Sequence, residues 1–307
     1  MRIIVNGQAA FGKDVLEALV KRGETVVGVY APPTKEGAKP DPVKTAALAL
    51  GLPVFEPASY RKAEVQDQLR SLKPDLGVMA FVTKFVPEEF LYIPTHGTIQ
   101  YHPSLLPLHR GPSSINWPII MGAKKTGLSI FWPDNGLDAG PILLQKEVEI
   151  GPDDTLGSIY FNKLYPMGIE AMLEGVDLVR AGKAPKIVQD VSKATYEGWC
   201  RAENTGVDWH KPYFQVHDLI RGADPSPGAW TRWQGKTVML FESTSATDRL
   251  SAAGKPGEVV ALDGGAMTVA AVGGAVTVKR VRGEGGQKVA AAEFAATAGI
   301  EKGAILG

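Results

Sequence analysis

The sequence predicts an α/β domain built on a mostly parallel, twisted sheet, followed by a small C-terminal β-barrel domain. Three observations carry this expectation. Short apolar runs alternate with helical patterns from residue 2 to about residue 132. A long amphipathic pattern then covers 153–182, and after about residue 204 the chain turns to short β-rich segments divided by glycines. The expected boundary separates a catalytic domain, 1–203, from a C-terminal domain, 204–307.

The elements follow in order. RIIVN (2–6) is an apolar strand ended by Gly7, and FGKDVLEALVKRG (11–23) spaces its apolar residues as a helix does. TVVGVYA (25–31) is the next strand, and PDPVKTAALALG (40–51) a helix after a proline-rich turn. PVFEP (53–57) is a short extended piece, and RKAEVQDQLRSL (61–72) an amphipathic helix. DLGVMAFV (75–82) is nearly all apolar, as a strand covered on both faces must be. GTIQYH (97–102) and GLSIFW (127–132) are further strands, separated by the helix-like SINWPIIMGA, and PILLQKEVEI (141–150) is another. Residues 153–182, with apolar positions at 156, 159, 164, 167, 172, 176 and 179, predict one long helix with an aspartate start signal, stopped by Gly182 and Pro185. KTVMLFES, GEVVALD, AMTVAAV and AVTVKRVR read as strands of the C-terminal domain, and WHKPYFQVHDLIRG as one short helix before them.

Composition narrows the function. Lysine and arginine (33) balance aspartate and glutamate (33), which argues against a nucleic-acid partner held by bulk charge. The single cysteine, Cys200, excludes a disulfide framework and a thiolate metal cluster. The N-terminus MRIIVNGQAAFG lacks the pattern of a signal peptide, and no window reaches the ~18 consecutive apolar residues of a membrane span. A cytoplasmic location is the expectation. No His-rich helix motif calls for a metal, and NGQAAFG lacks the G-x-G-x-x-G spacing, so no NAD(P) is expected. Oligomeric state leaves no trace in the sequence.

Two strand ends carry chemistry. His102 closes the strand GTIQYH, at the carboxyl edge where open α/β sheets place their ligands. Asp138 lies in the turn GLDAG, directly after the strand GLSIFW. Taken singly, the histidine reads as a satisfied core residue and the aspartate as a turn cap. Delivered together to one crevice, they form an acid/base pair in which the carboxylate orients the imidazole. Ser104 has no G-x-S-x-G elbow around it, so it reads as a turn residue, not a nucleophile.

The run HPSLLPLHRGPSSINW (102–117), followed by GLSIFWPDNGLDAGPILLQ (127–145), resembles the signature of the folate-dependent formyltransferases and hydrolases. With Tyr101, MAFVTKFVPEEF (79–90) and IRGADPSPGAW (220–230), the similarity spans nearly the whole chain. The branch it most resembles is the hydrolase domain of the 10-formyltetrahydrofolate dehydrogenases; the methionyl-tRNA formyltransferases are more distant. The carrier and aldehyde dehydrogenase domains of the former are not expected in a chain ending at Gly307.

The resemblance implies a Rossmann-like formyltransferase domain, an OB-like C-terminal barrel, and 10-formyltetrahydrofolate as formyl donor, with tetrahydrofolate as product. It implies that His102, Asp138 and Gln100 are catalytic, and that Lys84, Phe85 and Val86, with Tyr101 and Asp138, contact the folate. Met79 and Phe81 read as core, and His109 as scaffold. Gln100 stands where transferases of the family carry asparagine and the dehydrogenase's hydrolase domain an apolar residue. Its longer reach weakens, without removing, the case for transfer to an amine. The implied acceptor is water or a small amine. A methionyl-tRNA formyltransferase is the alternative enzyme, although APPTKEGAKPDPVK (31–44) holds only three lysines against two acids. A non-catalytic folate-binding module is the alternative of another class.

Overall fold

The first apolar run folds as β1 (Arg2–Gly7), every residue of which after Arg2 is buried. From there strands and helices alternate: α1 (Ala9–Lys21), β2 (Thr25–Tyr30), α2 (Pro42–Ala49), β3 (Val54–Phe55), α3 (Ala63–Ser71), β4 (Leu76–Ala80), α4 (Glu88–Leu91) and β5 (Thr98–His102). Then come α5 (Asn116–Ile120), β6 (Lys125–Phe131), β7 (Ile142–Glu149), α6 (Leu156–Ile159) and α7 (Tyr165–Arg180). The computed structural model describes residues 1–246 and 254–307.

Two compact units are formed, and they do not follow chain order. One holds 1–114, 127–148 and 163–197; the other holds 115–126, 149–162 and 198–307.

The first unit is built on a seven-stranded sheet, ordered β3-β2-β1-β4-β5-β6-β7. The pairs from β3 to β5 are parallel and β5 pairs β6 antiparallel, so the expected mostly parallel sheet is present. β4 is buried along its whole length, as its unbroken apolar run requires. α1 buries Phe11, Val15, Leu16 and Leu19, each removal from water contributing about 1.5–3 kcal/mol. α7 lies beside α1, tied by Tyr165 Oη donating to Asp14 (2.6 Å) and Arg22 paired with Asp177 (2.8 Å). The strand order reverses between β1 and β4, which opens a crevice at their carboxyl ends.

The single long helix expected over 153–182 is a correction. α6 ends at Ile159, a π-helical turn occupies Tyr160–Leu164, and α7 begins at Tyr165. Its start signal is Thr155, whose hydroxyl accepts from Ser158 N (3.1 Å) while Ser158 Oγ accepts from Thr155 N (2.9 Å).

In the second unit, α8 (Tyr213–Gly222) precedes β8 (Ala229–Trp233), β9 (Lys236–Ala246), β10 (Val259–Asp263), β11 (Ala266–Ala271), β12 (Gly274–Gly283), β13 (Val289–Ala290) and α9 (Ala291–Ala298). The strands run antiparallel in the order β10-β11-β12-β9-β8, with β13 on β12. The last residues join both edges: Val259 N donates to Ala304 O, Leu306 N to Gly257 O, and Gly307 N to Arg232 O. That is the expected small barrel-like sheet. Its interior holds Val238, Leu240, Met267, Val276 and Val278, with Ile220 of α8 and Ala295 of α9 packed against them.

Candidate active site

β5 decides which side chains meet. Alternation along a strand puts Gln100 and His102 on one face and Tyr101 on the other. Tyr101 is buried against Phe11, ring centroids 4.4 Å apart, and its hydroxyl lies 3.5 Å from the Leu164 carbonyl. Its side chain therefore belongs to the core beneath α1, not to the face His102 occupies.

His102 is 5% exposed and held from both sides. Its Nε2 lies 3.0 Å from the His109 carbonyl, which can only accept, so the proton is on Nε2. Nδ1 faces Asp138 Oδ2 at 3.7 Å. The same carboxylate oxygen accepts from Gly111 N at 2.9 Å. The structure thus brings together the histidine and the aspartate, 36 residues apart in the chain. Gln100 shares their side of β5, half-buried, and its carboxamide has no hydrogen-bond partner among the described residues.

The loop 102–111 is pinned by its own polar groups. Ser104 N donates to the His102 carbonyl (2.9 Å) and Ser104 Oγ to the Leu108 carbonyl (2.7 Å), a turn-closing use of the hydroxyl. Ser129 Oγ donates to the Ser104 carbonyl (2.7 Å) and accepts from Leu106 N (3.1 Å). His109 Nδ1 meets Glu197 at 3.1 Å, and His109 N donates to Thr195 Oγ1 (2.8 Å). His109 is thus tied into the loop's own bonding, and its carbonyl fixes the His102 ring. Two glycines have no substitute here: a Cβ on Gly111 (φ 106°) would stand 2.6 Å from the Glu197 carbonyl, and one on Gly140 1.8 Å from the Trp132 carbonyl.

Beside this loop, the register Met79↔Gln100 carries the segment after β4 to the level of His102. Phe81 and Phe85 are about half exposed there, with Arg61 stacked 5.1 Å from the Phe85 ring. Phe81 is the opposite of the core residue expected from its apolar run; it sits at φ 60°, where the chain leaves the sheet. Lys84 is exposed, its Nζ 3.4 Å from the Pro57 carbonyl. Val86 packs with Tyr30, Tyr60 and Phe90, so its side chain lies in the core. Thr83 Oγ1 donates to Gln8 Oε1 (3.2 Å), joining the turn after β1 to the turn after β4 across the crevice. Burial pushes the Tyr60 phenol up to about 12; its hydroxyl donates to Asn6 Oδ1 (2.9 Å).

Cavities also lie elsewhere in this unit. One of ≈ 640 Å³ includes Arg2, Lys73 and Asp75, and another of ≈ 530 Å³ includes His96, Trp132 and Lys186. The first adjoins the amino ends of β1 and β4, the wrong end of an open α/β sheet for its ligand. Neither touches His102 or Asp138, and the convergence of functional groups outweighs cavity size here. Among the described residues no cluster of three or more His, Cys, Asp or Glu is arranged to hold a metal, and no helix is long and apolar enough to cross a membrane.

One tie was invisible in the sequence. Gln189, in the irregular segment after α7, reaches both loops, bonding Arg110, Asp138 and Gly140. No motif, spacing or periodicity marks it.

Residues 1–174 match the profile of formyl transferases, and residues 200–299 that of the formyl transferase C-terminal domain. The chain belongs to the formyl transferase family. Within that family it is 44% identical over 269 residues to the mitochondrial 10-formyltetrahydrofolate dehydrogenase of Homo sapiens, covering 86% of this chain and 29% of that one. The chain thus spans under a third of the length of such relatives. It is 33% identical to the methionyl-tRNA formyltransferase of Alkaliphilus oremlandii over 312 residues, covering both chains in full. The formyl transferase fold is shared with HypX from Aquifex aeolicus, solved with tetrahydrofolic acid, at a TM-score of 0.69 and 21% identity over 97% of this chain and 47% of that one.

Proposed function

We propose that this formyl transferase family member is an enzyme that uses 10-formyltetrahydrofolate and passes the formyl group to water or to a small amine. The observation that carries the reading is the His102–Asp138 pair, 3.7 Å apart at the carboxyl edge of the sheet. The two relatives compared bear names built on 10-formyltetrahydrofolate and on formyl transfer, which supports the donor. Phe85 and Lys84, with the backbone at Val86, line the donor's slot, and Gln100 reaches the formyl oxygen with its free carboxamide. Tyr101 supports this face from below. The functional boundary lies between residues 203 and 204. The buried single thiol of Cys200, pushed up to about 11 by desolvation, is an inert group that fits a reducing cytoplasm.

The chemistry follows from the hydrogen bonds. Nε2–H is committed to the His109 carbonyl, and the other nitrogen, Nδ1, is turned to Asp138. In hydrolysis, the oxygen of water bonds the formyl carbon, and Asp138 takes up the proton that water gives away. The Gln100 carboxamide donates toward the oxygen that becomes negative, while His102, held by the His109 carbonyl, keeps Nδ1 beside Asp138 to receive that proton and pass it on. The bond from that carbon to the folate nitrogen breaks, the nitrogen regains a proton, and formate and tetrahydrofolate leave. An amine in place of water gives the formamide by the same sequence.

The full-length match to a methionyl-tRNA formyltransferase favours one second reading, with an aminoacyl-tRNA amine as acceptor. The zero net charge speaks against it. The experiment separates the readings by tetrahydrofolate release from 10-formyltetrahydrofolate alone, with small amines, and with charged initiator tRNA. Release from donor alone is the expected result. A donor stable alone but consumed with an amine removes hydrolysis and leaves transfer. Donor that is bound yet stable in every arm overturns the enzyme reading in favour of a binding module.

A further inference from the structure

Gln189 is 5% exposed, and every hydrogen-bonding position of its carboxamide is used. Nε2 donates to the carbonyl of Asp138 (2.9 Å) and to that of Gly140 (2.7 Å). Oε1 accepts from Nε (3.2 Å) and Nη2 (2.8 Å) of Arg110. One end of the amide therefore holds the turn that carries Asp138. The other holds the neighbour of His109, the residue whose carbonyl fixes His102. Both turns need holding, because Asp138 (φ 49°) and His109 (φ 54°) sit in the left-handed region. Non-glycine residues persist there only where their surroundings over-determine them.

We propose that Gln189 is a positioning residue that sets the distance between the Asp138 carboxylate and the His102 ring. The inference rests on the reading of these two as the reacting pair. Only a carboxamide of this length meets the demand: two donors on one side, an acceptor on the other. A glutamate would keep the bond to Arg110 but turn carboxylate oxygen against two carbonyl oxygens. A leucine would leave the Asp138 and Gly140 carbonyls without this partner, and the Arg110 guanidinium as well.

The test compares Gln189→Glu and Gln189→Leu with the unmutated protein in steady-state turnover of 10-formyltetrahydrofolate and in amide hydrogen exchange at Gly111, whose N–H reports the place of Asp138. Misplacement by about 1 Å can cost about 100-fold in rate, so kcat should fall by about that factor while KM for the donor stays within about threefold. Gly111 exchange should quicken about tenfold or more. In an Asp138→Ala background, Gln189→Glu should cost nothing further, because both changes remove the same interaction. Retained kcat with unchanged Gly111 exchange overturns the proposal, and so do losses that multiply in the double variant. If Asp138→Ala turns over donor normally while Gly111 exchange still quickens in both Gln189 variants, the positioning stands and the catalytic reading of Asp138 falls. Gln189→Glu keeps the volume and the Arg110 partner, so the comparison survives if the leucine variant does not fold.

Discussion

At His102 the ring has an acceptor on either side, the His109 carbonyl at 3.0 Å and the Asp138 carboxylate at 3.7 Å. An Asp138→Asn variant keeps the shape and an oxygen for Gly111 N, but removes the carboxylate charge beside His102 and the base that takes a proton. The expected loss in donor turnover is at least about 100-fold, the usual lower bound for removing a general acid–base partner. His102→Ala should lose as much, and the double variant little more than either single one, since the two act as a unit. Equal turnover in Asp138→Asn and the unmutated protein would dismiss the pair as the reacting groups. Both residues were legible because each ends or follows a strand with its own turn signature. The burial of the Val86 and Tyr101 side chains was not legible from the motif, because strand alternation and core demand, not motif membership, decide where a side chain points. Gln189 was illegible: its partners lie 51 and 79 residues away in sequence, in segments with no regular structure.

Helix and strand existence was legible nearly throughout the first unit, because apolar periodicity and glycine stops agree there. The region 153–182 shows what periodicity misses. A π turn spends about one extra residue per turn, and the five-residue step from Ile159 to Leu164 spans it. The same step from 167 to 172 lies in ordinary α-helix, so spacing alone does not tell the two apart. The start of α6 was placed on aspartate, whereas Thr155 makes the reciprocal cap with Ser158 and Asp154 braces Ser158 Oγ from outside (2.7 Å). Thr155→Ala should lower stability by about 1 kcal/mol, read as a shift in denaturant midpoint without change in slope. Thr155→Ser, which preserves the cap, should recover most of that loss. An unchanged midpoint in the alanine variant would show that the cap contributes nothing measurable.

Across the whole molecule, chain order was a poor guide to which segments pack together. Residues 115–126 and 149–162 join 198–307, a grouping that linear composition could not reveal. β8 and α9 also escaped: AWTRW follows a proline-rich stretch, and AAEFAATA reads as an alanine-rich tail, although Gly299 (φ 67°) ends it as a left-handed cap. The second unit holds a buried imidazole that makes its stability depend on pH. His217 Nε2 donates to the Pro152 carbonyl (2.9 Å), and Nδ1 meets Ser243 Oγ (2.8 Å), so the neutral ring is fully satisfied. Burial lowers its pKa below the usual histidine range. Arg221 adds to the shift, while the Pro152 bond, Asp218 and Asp153 oppose it. The unfolded chain, with an ordinary value of about 6.5, therefore takes up a proton before the folded one does as pH falls. The contribution is fully present above that value and is lost as pH drops toward the folded pKa. Asp224 has the opposite sign: burial raises its carboxyl, so its contribution declines as pH rises through the acid range. His217→Gln keeps a donor for Pro152 and an acceptor for Ser243 but cannot titrate. Its melting temperature should vary less than that of the unmutated protein between about pH 7 and 5, the side of the histidine value where the unfolded chain charges first. Parallel curves for the two proteins would mean that this imidazole charges equally in both states, and that its burial carries no cost.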